Sequence, residues 1–319
     1  MKTMAIVLEK PEHIVFGALD LTPPGEDDLV VDIEYSGIST GTEKLLWNGR
    51  MPAFPGMGYP LVPGYESVGR VVAAGAKEEH RIGERVFVPG ARCYGEVRGL
   101  FGGAASRLVV GASRVVPVSE TLGERAVLLA LAATAYHSVA GGGKRTPIVP
   151  PDLIVGHGVL GRLLARMVVV AGFAPPTVWE TNPARMGGSE GHGYPVIRPD
   201  DDTRRDYHAI FDVSGDAQIL DSLVARLAPG GEIVLAGFYT EPLHFAFAPA
   251  FMREAQIRCA AEFRKPDLLA VKELAETGVL SLDGLITHHA EPMQADAAYR
   301  TAFGDAGCLK MVLDWRHCQ

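Results

Sequence analysis

The chain has 319 residues, which corresponds to roughly two domains of ordinary size. It carries 30 Lys and Arg against 38 Asp and Glu, a formal net charge of −8, so it has no surplus of positive charge with which to bind nucleic acid. With 47% hydrophobic and 21% charged residues, the composition is globular and excludes disorder. The four cysteines form no CxxC pair, which excludes a disulfide scaffold and a zinc ribbon.

The longest apolar stretch, residues 127–140, is shorter than the roughly 20 residues that span a bilayer. The first apolar run of the chain is too short for the core of a signal peptide and is typical of a first strand. We therefore expect no integral membrane segment and a cytoplasmic protein with reduced cysteines.

Short apolar runs between Gly, Pro and Asp make up about the first 118 residues, a pattern typical of β-strands. The clearest runs are residues 29–33, 66–72, 85–88 and 107–110. A helical pattern follows over residues 122–140, and the glycines at 141–143 are expected to end it.

Strand and helix patterns alternate in the rest of the chain. Strands are predicted at 152–155, 177–180, 209–213, 232–236 and 310–315. Helices are predicted at 158–171, 219–227, 268–277 and 295–301. Because strands that alternate with helices form parallel sheets with right-handed crossovers, we expect an α/β fold with a doubly wound parallel sheet.

A glycine-rich turn marks the candidate nucleotide site. It consists of Gly156, His157, Gly158, Val159, Leu160 and Gly161. The run follows a predicted strand and opens a predicted helix, which is the context that a dinucleotide fingerprint requires. Its glycines would permit the tight turn, the approach of a pyrophosphate and close helix packing, while the helix N-terminus attracts the anion. The alternative to a nucleotide site is a glycine turn that only packs an ordinary βα unit.

Glu180 ends the next predicted strand and indicates the choice of cofactor. Its carboxylate can accept hydrogen bonds from the ribose hydroxyls and would repel a 2′-phosphate, so the sequence favours NAD over NADP. Arg185 lies nearby in the chain and keeps NADP open. His157 could add a donor near the pyrophosphate, although a solvated side chain without a role is the preferred interpretation. Further expected cofactor contacts are Thr134, Ser214 and Gly237.

Three stretches of the chain resemble the medium-chain dehydrogenase/reductase superfamily. They are residues 36–43, 62–69 and 227–234. The resemblance implies a GroES-like, β-rich catalytic domain at 1–128, a Rossmann nucleotide-binding domain at 129–263 and a C-terminal segment at 264–319 that returns to the first domain. It also implies a homodimer built by extending the sheet of the nucleotide domain.

Zinc-dependent members of the superfamily carry metal ligands that this sequence replaces. Where they have Cys, the chain has Ser39 or Thr40, and where they have His it has Tyr65. Ala130 and its neighbours stand where a third ligand often occurs. Because catalytic zinc needs three protein ligands and an open position, we predict no metal site.

Two longer runs, residues 36–69 and 87–105, resemble one family of this superfamily, the bacteriochlorophyllide a dehydrogenases. That resemblance implies oxidation of the 3-(1-hydroxyethyl) group of a bacteriochlorophyllide to 3-acetyl, with NAD⁺ taking the hydride. The partner would be a small tetrapyrrole. Contact with the photosynthetic membrane stays open because the pigments of this pathway are apolar, although no amphipathic basic helix argues for it.

The hydroxyl proton of such a substrate requires a base. Tyr65 is the first candidate because it takes the position of the zinc-binding His, and Lys44 could lower its pKa if it lies close. Glu66 is the second candidate, and a plain packing role for Tyr65 is an equal alternative. The hydroxyl groups expected to hold the substrate oxygen or relay the proton are those of Ser39, Thr40 and Thr42.

The loop at residues 47–59 is the candidate surface for a flat apolar ring. Its apolar members are Trp47, Met51, Phe54, Met57 and Tyr59. The alternative is a small satellite core beneath a long loop. Arg98, Arg50 or Arg92 could meet the propionate carboxylate of the substrate, and His137 is a weaker candidate near the reacting group.

Three other functions remain open at this point. A zinc-free quinone or enoyl reductase would prefer NADPH, against which Glu180 argues. A non-catalytic carrier would bind the tetrapyrrole without turnover. A zinc polyol dehydrogenase would contain metal.

Overall fold

The computed structural model describes residues 1–141 and 148–318, which form two compact units. The first unit is Met1–Ala130 with Asp283–Gln319, and the second is Leu131–Leu282. The first boundary lies two residues beyond the expected position at 128. The second lies 19 residues beyond the expected position at 263, because the helix that begins at Lys265 packs within the second unit.

The secondary structure follows the pattern of a β-rich unit and an alternating unit. The strands are β1 (Lys2–Lys10), β2 (His13–Asp20), β3 (Asp28–Ile38), β4 (Leu61–Val62), β5 (Ser67–Ala74), β6 (Arg85–Val88), β7 (Arg98–Gly99), β8 (Arg107–Gly111), β9 (Val116–Pro117), β10 (Leu153–Val155), β11 (Thr177–Trp179), β12 (Val196–Ile197), β13 (Tyr207–Asp212), β14 (Leu227–Leu235), β15 (Gln256–Cys259), β16 (His288–Ala290) and β17 (Met311–Asp314). The helices are α1 (Thr42–Trp47), α2 (Leu129–Ala140), α3 (Val159–Val170), α4 (Leu220–Val224), α5 (Phe247–Met252), α6 (Lys265–Glu276) and α7 (Ala295–Gly304).

The first unit contains a seven-stranded sheet and a four-stranded sheet. The larger sheet runs β16-β17-β3-β5-β6-β9, with β8 also paired to β3, and the smaller runs β2-β1-β4-β7. Strand β3 is central and largely buried, and it pairs antiparallel with β17 near the end of the chain. That pairing seats the buried Trp315, whose indole N–H donates to Ser36 Oγ at 2.8 Å.

The second unit is built on a six-stranded parallel sheet in the order β12-β11-β10-β13-β14-β15. Its core is formed by the apolar faces of the strands and by α4. The predicted strands that begin at 152, 177, 209 and 232 are confirmed as β10, β11, β13 and β14. The predicted helices at 158–171, 219–227 and 268–277 are confirmed as α3, α4 and α6. The doubly wound parallel sheet is therefore present.

The predicted helix over 122–140 is shorter than expected. Residues Glu120–Leu128 form 3-10 turns, and Gly123 interrupts them with a left-handed φ of 51° and a ψ of −139°. The α-helix then starts at Leu129. The glycines 142 and 143, which were expected to end the helix, lie outside the described residues.

Every helix within residues 1–141 and 148–318 is too short or too polar to cross a membrane.

Candidate active site and nucleotide site

The glycine-rich turn connects β10 to α3 in the way that its sequence predicts. Gly156 has a φ of +106°, which favours glycine, and Gly158 is the N-cap of α3. A Cβ on Gly161 would lie 1.9 Å from the Gly156 carbonyl oxygen, so strand and helix could not approach as closely with any other residue. A Cβ on Gly158 would meet nothing within 4 Å. The space before the helix N-terminus is therefore open, which fits a pyrophosphate.

Two other predicted cofactor residues meet this turn at the carboxyl edge of the sheet. Ser214 follows β13, and its Cα lies 3.4 Å from the Cβ position of Gly156. Gly237 follows β14, and its N–H donates to the Asp212 carbonyl at 3.0 Å. Because β10 and β13 are neighbours while their crossovers lead in opposite directions, this edge is a topological switch point, where dinucleotides bind in such sheets.

Glu180 is held firmly at the end of β11. It is 8% exposed. Its Oε1 accepts from the N–H groups of Thr181 and Asn182, each at 2.8 Å, and its Oε2 accepts from the His157 N–H at 3.1 Å. Since a carboxylate oxygen has two acceptor positions, Oε2 retains one for a ribose hydroxyl. The acidic residue thus lies against the glycine turn, as the fingerprint requires.

The expectation that His157 is a solvated side chain is wrong, because the residue is fully buried. Its Nδ1–H donates to the Arg185 carbonyl at 2.7 Å, and its Nε2 lies 3.0 Å from the Tyr194 hydroxyl. Burial lowers the pKa of His157 to about 4, which keeps the ring neutral at physiological pH. The His157 ring, which belongs to the glycine turn, therefore holds the backbone of Arg185 in place.

Thr134 and His137 lie on α2, within the second unit. Thr134 is half-buried. The His137 ring Nδ1 lies 2.8 Å from the Asp267 carboxylate, which also accepts from the Arg264 N–H and so caps α6. This contact gives His137 a structural partner within the unit, while its substrate role stays a prediction.

In the first unit, Tyr65 and Ser39 share a hydrogen bond of 2.6 Å between their side-chain oxygens. Ser39 is buried at the end of β3, and Tyr65 is half-buried between β4 and β5. Thr42, on the first turn of α1, also hydrogen-bonds to the phenol. The Tyr65 ring packs edge-on against Phe101 at 5.3 Å. The structure thus brings together three of the predicted hydroxyl residues, while Thr40 is half-buried beside them in the chain.

Two buried carboxylates and one buried ammonium lie in the same cluster. Glu66 Oε2 accepts from Lys310 Nζ at 2.5 Å, and that ammonium also donates to the Ile38 carbonyl. Glu43 accepts from the Ser39 N–H at 3.2 Å and from the Tyr299 hydroxyl at 2.9 Å. Burial and the charge of Glu66 raise the pKa of Glu43 to about 8. Burial raises the pKa of Glu66 as well, and the Lys310 ammonium opposes that rise. At neutral pH Glu43 is therefore a protonated carboxyl group beside the Glu66–Lys310 contact.

Lys44 does not lower the pKa of Tyr65. Its ammonium is exposed and donates to the Phe303 carbonyl at 3.0 Å. Burial and the negative charge of Glu66 raise the pKa of Tyr65, while the hydrogen bonds of Ser39 and Thr42 only oppose that rise. Tyr65 is therefore a neutral phenol in the free protein, contrary to the expectation of an activated one.

The loop at 47–59 packs partly into a satellite core. Met51 is buried in that core with Leu8, Leu46, Leu61 and Leu100. The loop residues packed against it from outside are Trp47, Met57 and Tyr59. Phe54 is 37% exposed. Since Phe101 contacts both this cluster and Tyr65, the loop and the hydroxyl cluster adjoin each other.

The three candidate arginines are separated by the structure. Arg98, on β7, is exposed and donates to the Tyr59 carbonyl at 3.2 Å, beside Gly58. Arg92 lines a different cavity of about 210 Å³ that also includes Arg114. Arg50 is exposed at the start of the loop. Arg98 is thus the one whose guanidinium adjoins the end of the loop near Tyr59.

No group of three or more His, Cys, Asp or Glu within residues 1–141 and 148–318 is placed to hold a metal ion. The expected lack of a metal remains a prediction.

Comparison with known proteins gives the family. Residues 25–120 match the alcohol dehydrogenase GroES-like domain. The chain is 57% identical over 317 residues to the 2-desacetyl-2-hydroxyethyl bacteriochlorophyllide A dehydrogenase of Rhodobacter capsulatus, with 99% of each chain covered. It is 54% identical over 321 residues to the protein of the same name from Cereibacter sphaeroides, again with 99% of each covered. This chain belongs to the bacteriochlorophyllide a dehydrogenase family.

Solved structures agree with the fold of this family. An alcohol dehydrogenase from Escherichia coli CFT073, complexed with NADH, has a TM-score of 0.83 at 22% identity and covers 98% of this chain and 99% of its own. An acetophenone reductase from Geotrichum candidum, in complex with NAD, has a TM-score of 0.82 at 17% identity and covers 98% and 97%. A zinc-binding dehydrogenase from Sinorhizobium meliloti, bound to NADP, has a TM-score of 0.80 at 20% identity and covers 98% of this chain and 99% of its own. These structures share the fold of this chain, and the matched GroES-like domain and the two relatives make it a medium-chain dehydrogenase.

Two residues of this bacteriochlorophyllide a dehydrogenase family member, Asp212 and Lys310, were not predicted from the sequence to belong to a site. Asp212 is buried at the end of β13, where it accepts from the Tyr239 hydroxyl at 2.5 Å and from the Ser214 N–H at 2.9 Å. Lys310 is the buried cation of the hydroxyl cluster. A charged residue at the edge of the apolar run that predicted β17 was the available signal for Lys310, whereas Asp212 had none beyond its position at a strand end.

Proposed function

We propose that this protein is an NAD-dependent dehydrogenase that oxidises the 3-(1-hydroxyethyl) group of a bacteriochlorophyllide to 3-acetyl in bacteriochlorophyll a biosynthesis. The observation that carries the proposal is its full-length identity of 57% and 54% to two relatives named for this substrate. Glu180 supports NAD as the cofactor, because its fixed carboxylate would accept from a free 2′-hydroxyl and repel a 2′-phosphate.

The glycine turn and the sheet edge are the proposed binding site of the cofactor. The N-terminus of α3 would hold the pyrophosphate through its N–H groups, and Glu180 would hold the adenosine ribose. Bound NAD⁺ supplies the hydride acceptor. The remaining task of the protein is to take the proton from the substrate hydroxyl.

Tyr65 is proposed to take that proton through a relay. As a neutral phenol with a raised pKa, it would accept the substrate proton while passing its own to the hydroxyl of Thr42, which is half-buried and would release its own proton to solvent water. Ser39, 2.6 Å away, would hold the phenol in place. Glu66 is engaged by Lys310 and is proposed to support the cluster from behind.

The reaction is proposed to proceed without catalytic zinc. Ser39, Thr40 and Tyr65 occupy positions where zinc-dependent members carry ligands, and their hydroxyl groups are poor zinc ligands compared with Cys and His. The conjugated macrocycle of the substrate favours hydride loss from the adjacent carbinol, which reduces the need for a Lewis acid.

A turnover assay tests the proposal. The purified protein is mixed with 3-hydroxyethyl bacteriochlorophyllide a and either NAD⁺ or NADP⁺, and the reduced nicotinamide and the long-wavelength pigment band are followed. We expect turnover with NAD⁺, weak turnover with NADP⁺ and no loss after treatment with a chelator. Pigment binding without reduction of either cofactor would contradict the proposal and indicate a carrier. Reduction of C=C substrates by NADPH would indicate the quinone or enoyl reductase.

A homodimer is proposed for the second unit. Strand β15 is an edge of the parallel sheet, and an apolar patch beside it exposes Phe247 by 71%, Phe251 by 65% and Met252 by 78%. An open strand edge next to an apolar patch is suited to pairing with an identical edge across a two-fold axis. The protein is proposed to be cytoplasmic. If the patch binds a membrane surface instead of a second copy, the wild type should be a monomer that binds vesicles.

A further inference from the structure

The segment of residues 181–194, which joins β11 to β12, borders the proposed adenosine ribose site because it starts directly after Glu180. Its regular structure is limited to the short 3-10 turn Pro183–Arg185. Besides the hydrogen bonds of its own turns, the segment is held by side chains from elsewhere in the unit. His157 from the glycine turn and Arg162 from α3 are two of them.

His157 bonds to the segment at two points. A carbonyl can only accept, so the ring proton lies on Nδ1 and is donated to the Arg185 carbonyl. The neutral Nε2 then accepts from the Tyr194 hydroxyl at 3.0 Å. Tyr194 is only 5% exposed, and Arg185 is half-buried. The lowered pKa of His157 agrees with this neutral tautomer.

Arg162 bonds to the same segment. It is 4% exposed. Its guanidinium donates to the carbonyls of Gly187 at 2.7 Å and Arg185 at 3.2 Å, and to that of His157 at 3.0 Å. A Cβ on Gly188 would lie 1.8 Å from its Nη1. The segment therefore fits closely around a buried cation.

The backbone of His157 completes the connection, because its N–H donates to Glu180 Oε2. One residue thus contacts the acidic residue through its main chain and the far end of the segment through its ring. We propose that His157 and Tyr194 are positioning residues that hold the 181–194 segment around Glu180 and so set the affinity and the NAD preference of the adenosine ribose site. The inference rests on the proposed function and deepens it.

The test compares two isosteric tyrosine variants in direct binding measurements without pigment. Tyr194→Phe removes the hydroxyl that bonds to His157 and also accepts from the Arg166 guanidinium. Tyr207→Phe is the matched control, since it removes a buried hydroxyl 2.7 Å from Asp202 at the opposite, amino-terminal end of β13. The dissociation constants of NADH and NADPH are measured by fluorescence titration for both variants and for the wild type.

We expect the NADH dissociation constant to rise about tenfold in Tyr194→Phe and in His157→Asn, which retains a donor for Arg185 but loses the Tyr194 contact. His157→Ala should lose more. The ratio of NADPH to NADH affinity should move toward NADPH in all three. A second readout is tryptic cleavage after Arg185, which should be faster in His157→Ala and slowed again by NADH.

The outcomes separate this inference from the proposed function. If the wild type binds NADH and Tyr194→Phe, His157→Asn and Tyr207→Phe all bind it equally well, the positioning role is overturned while the dehydrogenase proposal stands. If the wild type binds NADPH but not NADH, the proposed function and the inference both fail. A fall in kcat without a change in NADH affinity would also overturn the positioning role.

Discussion

Two buried carboxylates within one cluster are the most unusual feature at the scale of single residues. Glu43 and Glu66 are both fully buried, yet Lys310 supplies one positive charge. Burying two negative charges against one cation is costly, and a protonated Glu43 avoids that cost. Burial and the charge of Glu66 raise the pKa of Glu43, and its hydrogen bonds with Ser39 and Tyr299 only partly oppose that rise.

Glu43→Gln should remove a pH-dependent loss of stability. The pKa of Glu43 in the folded protein, about 8, lies above the ordinary value of 4.5, so the folded state keeps a proton that the unfolded state releases. The contribution of Glu43 to the free energy of unfolding is therefore greatest below pH 4.5 and decreases as the pH rises toward 8. Relative to wild type, Glu43→Gln should gain stability with a limiting slope of about 1.4 kcal/mol per pH unit in that window. Urea unfolding at pH 5, 6, 7 and 8 measures it, and a pH-independent difference would contradict the protonated state.

Tyr65→Phe tests the relay. The variant keeps the ring contact with Phe101 and removes the hydroxyl that bonds to Ser39, so kcat should fall about 100-fold with little change in Tm. Tyr94→Phe is the matched control, because it removes a buried hydroxyl 2.6 Å from the Gly102 carbonyl in the same unit. Equal activity of the two variants would leave Tyr65 as a packing residue.

At this scale the sequence predicts which residues form the site better than it predicts their protonation states and burial. The glycine turn and Glu180 could be predicted because one continuous run of chain specifies them. The raised pKa of Tyr65 could not, because it comes mainly from burial, which only the packing of the folded unit produces. His157 was misjudged for the same reason, since Tyr194 lies 37 residues further along the chain.

At the scale of elements, the junction of β10 and α3 depends on the absence of a side chain at position 161. Gly161→Ala places a Cβ 1.9 Å from the Gly156 carbonyl oxygen, so backbone must move. We expect a loss of about 3 kcal/mol in the free energy of unfolding and weaker NADH binding. Gly304→Ala at the end of α7, where a Cβ meets nothing within 4 Å, should be neutral or slightly stabilising. Comparable losses in both variants, measured by urea unfolding, would contradict the close approach.

The loop at 47–59 carries the substrate prediction. Arg98 adjoins the loop through the Tyr59 carbonyl, and its exposed guanidinium has further donors for a carboxylate. Arg98→Gln should raise KM for the pigment about tenfold at constant kcat, whereas Arg92→Gln, in a separate cavity, should not. Steady-state kinetics with the free propionate and with its methyl ester measure the effect. An equal rise of KM for the methyl ester would argue against recognition of the carboxylate.

Element types could largely be predicted from periodicity, and boundaries were less certain. Strands β10, β11, β13 and β14 were predicted because each is a short apolar run between turn residues. The start of α2 was placed seven residues early, because the apolar pattern continues through the 3-10 turns that Gly123 interrupts. Periodicity does not distinguish these two helix types when the same face stays buried.

At the scale of the whole molecule, the apolar patch beside β15 is expected to be covered by a second copy of the chain. Met252→Lys places a charge in the patch and should reduce the mass in light scattering from that of a dimer to that of a monomer. Met293→Lys is the matched control on the first unit, where Met293 is 67% exposed, and should leave the dimer intact. A monomeric wild type that binds vesicles through the patch would contradict the dimer and indicate membrane contact.

The return of the chain to its first unit fixes the order in which that unit can be finished during synthesis. Glu66 and Ser36 are translated early, but their partners Lys310 and Trp315 follow 244 and 279 residues later. The whole second unit leaves the ribosome in between. Until β17 arrives, Glu66 has no counter-ion and β3 lacks one neighbour. The sheet of the nascent first unit therefore stays incomplete until the second unit has been synthesised.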